Sequence, residues 1–128
     1  MSYDIDKDKL TAGMAVVQKL GLTARANPAL SADFRAHTAQ ALFGTIWTRP
    51  GLALEERSLV TVTALIALNR EHELRLHLRG ARNAGISREK LEEVILHLAH
   101  YAGWPNAVTA SSILSEVWQQ MDEEAAKS

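Results

Sequence analysis

Proline placement constrains this chain more than any other feature. Its three prolines are Pro28, Pro50 and Pro105. The stretches between them are rich in Ala and Leu and show no run of alternating apolar and polar residues. A proline inside a helix removes a backbone hydrogen bond and clashes with the preceding turn. The three positions therefore divide the chain into helical pieces. The expected fold class is all-α, with about six helices in a single domain over residues 1–128.

Local signals set the boundaries. A first helix is expected from about Asp6 to Leu20, with Gly21 as its stop. A second begins near Pro28, a favoured first-turn residue, and runs to about Gly44. Trp47 to Leu52 reads as a turn-rich linker. The third helix covers Glu55 to Leu68. It carries no charge from Ser58 onward, so it needs cover on all sides from the core or a partner chain. The fourth runs from about Arg70 to Ala84, before Gly85. Ser87 caps a fifth, which ends near Ala102. Gly103-Trp104-Pro105 breaks the chain, and the last helix spans about Asn106 to Met121. Asp122-Glu123-Glu124 then places negative charge at a helix C-terminus, where the dipole opposes it. That tail is expected to fray.

Composition removes several functions. The chain has no cysteine, which excludes disulfides, thiolate metal sites and cysteine nucleophiles. Fourteen Lys and Arg balance fifteen Asp and Glu, for a net charge of −1. No nucleic-acid partner is indicated. The stretch from Met1 to Leu10 is acidic and polar, unlike a signal peptide. The apolar run from Ser58 to Leu68 is too short to cross a bilayer. A soluble cytoplasmic protein, without a membrane partner, is expected.

The polar residues of the fourth helix point to chemistry. At 100° per residue, Leu74, Leu76, Leu78, Gly80, Ala81 and Ala84 form a broad apolar arc. Arg75, Arg79 and Arg82 fall opposite, towards water or a partner. Glu73, His77 and Arg70 land within the apolar arc. Glu73 and His77, four residues apart, share one helix face. A buried pair that merely orders the core is the plain reading. Three ionisable groups share the arc, however, and buried charge is costly unless paired, which favours a functional role. Glu73 beside His77 is expected to raise the imidazole pKa, giving a general acid or a cation for a substrate carboxylate.

Other candidates are less local. His97 lies at the edge of the buried face of the fifth helix, whereas His100 points away. Arg49 and Arg57 flank the start of the third helix, and an Arg can grip a carboxylate through two parallel hydrogen bonds. Trp47 and Trp104 sit at helix breaks, each as a core plug or a substrate platform. Glu73, His77 and His97 could supply a carboxylate and two imidazoles to a metal. The Glu-x3-His spacing matches neither His-Glu-x-x-His nor a paired Glu-x-x-His motif, and His72 and His77 diverge on a helix. No metal is expected.

A family resemblance joins these residues. Ile46-Trp47-Thr48-Arg49-Pro50-Gly51-Leu52, Arg57-Ser58-Leu59 and Ala64-Leu65-Ile66-Ala67-Leu68 resemble the carboxymuconolactone decarboxylase family. So do Arg70, Glu73-Leu74, His77, Gly85, Glu93 and Tyr101-Ala102-Gly103 with Pro105. Gly13-Met14-Ala15-Val16 adds a shorter match. The likeness is densest from Gly44 to Ala107 and points to the gamma-carboxymuconolactone decarboxylase branch. Alkylhydroperoxidase-D-like relatives carry two cysteines where this chain has Arg70 and Glu73, so dithiol peroxidase chemistry is excluded.

The resemblance implies an alkylhydroperoxidase-D-like helical subunit in a homotrimer or a hexameric ring. It implies cofactor-free decarboxylation of 4-carboxymuconolactone, or a related carboxylated lactone, to an enol-lactone in bacterial breakdown of protocatechuate through the beta-ketoadipate pathway. Glu73 and His77 would be catalytic. Arg49, Arg57 and Arg70, with Trp47, His97 and Trp104, would bind substrate. Where this chain has His97, Trp104, Asn106 and Ala12, the family usually has Gln, Val, Ala and Arg. These departures point towards a different lactone or a bulkier carboxylated substrate. The rivals are a metal-dependent lactone hydrolase and a non-catalytic helical assembly module.

Overall fold

The computed structural model describes residues 3–22 and 27–128. The first two residues of the polar N-terminal stretch lie outside it. Among the described residues there are helices and no strands, as the proline pattern predicts. Helix α1 spans Lys7–Leu20, α2 Ala32–His37, α3 Leu54–Ala67, α4 Glu71–Asn83, α5 Arg88–Ala102 and α6 Trp104–Ala126. Between α2 and α3 the chain continues as a π-helix over Thr38–Ile46.

Several ends follow from capping. Asp6 accepts hydrogen bonds from the Asp8 and Lys9 amides, and Gly21 closes α1 with φ 71°, a conformation open to glycine. Ser87 caps α5 by accepting from the Lys90 amide. Glu56 reaches back to the Ala53 amide at 2.8 Å to secure the start of α3.

Three expectations change. The second helix starts at Ala32 rather than Pro28, because Ser31 accepts from the Phe34 amide and caps it. It then widens, as in the bond from the Trp47 amide to the Leu42 carbonyl at 3.0 Å. Such π geometry is uncommon and often found at functional sites. It lies against α1 so closely that a Cβ on Gly13 would sit 1.8 Å from the Ala39 carbonyl oxygen.

The second change is at Trp104, which opens α6 instead of lying in a break. The turn is made by Gly103 at φ 96°, and Pro105 occupies the first turn of the helix, where its missing N–H costs nothing. The third is the acidic tail, which stays helical to Ala126. Its charges are satisfied sideways: Arg82 pairs with Asp122 at 2.7 Å and Arg79 with Glu124. Arg75 also meets Glu116 of α6. The arginine face of α4 thus packs on α6, and Arg79 is buried.

Two cores result. The larger includes Val62, Ile66, Leu74, Leu78, Leu91 and Ile113. The smaller joins Leu20, Leu22, Phe43 and Trp47, with Leu76 of α4 and its C-cap residue Ala84 against it. Leu74 and Leu78 therefore face one core and Leu76 the other. On the helix wheel Glu73 and His77 fall between them, at the seam.

Candidate functional site

At that seam lies a cavity of about 540 Å³, within the usual range for a small-molecule site. Its walls are mostly apolar, from α1, α2, the π-helix and α4, and include Val17, Phe34, Phe43 and Leu76. Glu73 and His77 both line it, as does His72. Helix α4 supplies all three.

The two central groups occupy different surroundings. Glu73 is exposed and His77 half-buried. His77 Nδ1 is buried and has no hydrogen-bond partner, and no hydrogen bond or ion pair joins it to Glu73 among the described residues. Trp47 stacks on the imidazole, with ring centroids 6.3 Å apart and planes 20° from parallel. Burial pushes the His77 pKa below its usual 6.5, and the Glu73 charge only partly opposes that shift. This reverses the expected direction: desolvation of the imidazolium outweighs the attraction of a carboxylate that itself reaches water. Above pH 6.5 the imidazole is therefore held mainly in its neutral form.

The other expected site residues are dispersed. Trp47 is buried in the smaller core behind His77 and does not line the cavity. Arg49 is exposed, and its carbonyl accepts from Arg57 at 3.0 Å. Arg70 is exposed at the cap of α4. None of these arginines lines the cavity. His97 is exposed and stacks on Tyr101, with centroids 4.9 Å apart. Trp104, 59 % exposed, borders a separate groove between α5 and α6. Asn106 donates to the Ala67 and Ala102 carbonyls, tying α6 to α3. Glu73, His77 and His97 therefore do not converge. No group of three or more potential metal ligands is found among the described residues.

Two ionisable lining residues, Arg35 and His72, have no site role in the sequence reading. Arg35 comes from α2 and donates to the Leu30 carbonyl at 3.1 Å. Nothing local marks it, because its partners in the cavity lie almost forty positions away. His72 diverges from His77 on the helix, yet the cavity is broad enough to be bordered by both.

The carboxymuconolactone decarboxylase family model matches residues 32–116, a span containing α2 through most of α6. A 4-carboxymuconolactone decarboxylase of Acinetobacter baylyi is 43% identical over 89 residues, covering 70% of this chain and 66% of that protein. The nitrosuccinic acid decarboxylase npaB of Metarhizium robertsii is 38% identical over 79 residues, covering 62% and 55%. Each match thus spans less than two thirds of the relative's own length. The cavity's α2, π-helix and α4 walls all fall inside the matched span, and the chain belongs to the carboxymuconolactone decarboxylase family.

Proposed function

We infer that this protein is a cofactor-independent decarboxylase of small carboxylated lactones, 4-carboxymuconolactone being the leading substrate. The observation that carries this reading is an imidazole and a carboxylate bordering one apolar cavity. The family and the two decarboxylase relatives support the reaction class.

The chemistry suits such a site. The bond to the departing carboxylate breaks, and its electron pair moves through the ring alkene to the lactone carbonyl oxygen. Carbon dioxide leaves, and a proton is returned to carbon. The substrate is its own electron sink. Apolar walls leave the departing carboxylate poorly solvated. His77, neutral, donates a hydrogen bond to the developing enolate oxygen. Glu73, in reach of water, takes up a solvent proton and relays it to carbon. This assigns oxyanion stabilisation to the half-buried partner and proton transfer to the exposed one.

Assembly belongs to the same reading. Val60 on α3 and Leu68 at its C-cap are 60 % and 67 % exposed, and Tyr101 on α5 is 79 % exposed. This supports a homo-oligomer, trimeric or hexameric as the resemblance implies, that covers these side chains. Arg49, Arg57, Arg70, His97 and Trp104 would act on substrate only if assembly brings them to a neighbour's cavity. No helix is long and apolar enough to cross a membrane among the described residues. The proposed setting of the reaction is aromatic catabolism in the cytoplasm.

Product mass tests the reaction. Incubation with 4-carboxymuconolactone should give a product lighter by carbon dioxide, unaffected by a chelator. A product heavier by water, lost on chelation, would identify a metal-dependent hydrolase instead. No turnover, with no rise in melting temperature on adding lactone acids, would leave an assembly module.

A further inference from the structure

A carboxylated lactone that keeps one carboxylate after losing another brings a lasting negative charge into the cavity. Apolar walls and the Glu73 carboxylate both disfavour that charge. A fixed cation must balance it. Among the described lining residues, Arg35 is the one that carries a guanidinium.

We propose that Arg35 is the anion anchor of this cavity, gripping the carboxylate that the substrate retains and leaving the other beside Glu73 and His77. The proposal rests on the decarboxylase reading for the identity of the anion, not for the anchor itself. Arg75, Arg79, Arg82 and Arg88 are engaged with carboxylates. Arg35 has no carboxylate partner among the described residues. Its one hydrogen bond among the described residues, to the Leu30 carbonyl, uses one of five donors and steadies the planar group beside another lining residue. The remaining donors suit a carboxylate.

Its helix is also held in place. The Tyr3 amide donates to Asp33 at 3.1 Å, and the Tyr3 hydroxyl meets His37 Nδ1 at 2.6 Å. Both ends of α2 are thereby tied to the N-terminal segment, so Arg35 is presented without first ordering its own backbone. The substrate class that follows is a lactone with two carboxylates and an otherwise apolar body. A monocarboxylate would leave either Arg35 or the reactive end unused.

Steady-state kinetics and binding test this together. Arg35→Met should raise KM for 4-carboxymuconolactone by about 10–100-fold, the range expected for a lost charge-assisted pair, with a much smaller change in kcat. Arg35→Lys should recover part of that loss. With the retained carboxylate masked as a methyl ester, wild type and Arg35→Met should show the same KM. A KM raised by His72→Gln and left unchanged by Arg35→Met would overturn the assignment. Calorimetric binding of a saturated, unreactive dicarboxylic lactone gives a readout independent of turnover. Binding weakened by Arg35→Met, without turnover in the wild type, would uphold the anchor and reject the decarboxylase. Normal turnover with an unchanged KM in Arg35→Met would reject the anchor and keep the decarboxylase. Failure of the wild type to bind would reject the anchor.

Discussion

On one face of α4, Arg75, Arg79 and Arg82 each meet a carboxylate of α6. On another, Glu73 and His77 border a cavity and make no hydrogen bond or ion pair among the described residues. The same thirteen-residue helix thus satisfies charge on one side and withholds it on the other. The paired face holds the acidic end of α6 in place. The unpaired face keeps a desolvated imidazole and a water-reachable carboxylate available to a ligand. Unpaired polar groups beside a cavity cost stability, and that cost is the usual mark of a site rather than of a scaffold.

Substitutions can separate the two faces. The largest effect on stability is expected behind the cavity, at Gly13. A methyl there meets the Ala39 carbonyl, so α1 and the π-helix must move apart. Gly13→Ala should cost about 3 kcal/mol in denaturant unfolding and lower turnover as well. On the paired face, Arg79→Ala should cost about 2 kcal/mol, since Arg79 is buried and its loss removes both packing and the Glu124 partner. Arg79→Met should restore part of that, because the apolar stem is kept. Neither Arg79 variant should alter kcat of the folded protein.

The pH dependence of stability reports on the unpaired face. The His77 pKa is depressed by folding, so below 6.5 the unfolded chain binds a proton that the folded chain resists. Its stabilising contribution is complete above 6.5 and is lost as pH falls towards the depressed folded value. Unfolding titrations should show that acid-side loss, and His77→Gln should reduce its slope. The smallest effect is expected for Arg75→Ala. That pair is about half in water, so the loss should be roughly 0.5 kcal/mol and should shrink with added salt.

Much of this contrast was legible in the sequence. Helix periodicity separated the arginine face from Glu73 and His77, and Pro, Gly and Ser placed most helix ends within a few residues. The partners were not legible. The acidic tail was expected to fray because its own dipole opposes it, and only the packing of α6 on α4 supplies the compensating arginines. The His77 pKa was misjudged for a similar reason. A four-residue spacing reveals the Glu73 charge, whereas the desolvation by Trp47 and its neighbours arises from packing across distant segments. Arg35 was missed because α2 reaches the cavity through tertiary packing alone.

The central claim is that Glu73 and His77 carry decarboxylation. The direct measurement is kcat for carbon dioxide release from 4-carboxymuconolactone by folded Glu73→Gln and His77→Ala. Each should fall by about 10²–10⁴-fold, with melting temperatures close to wild type. Near-normal kcat in both variants would contradict the account.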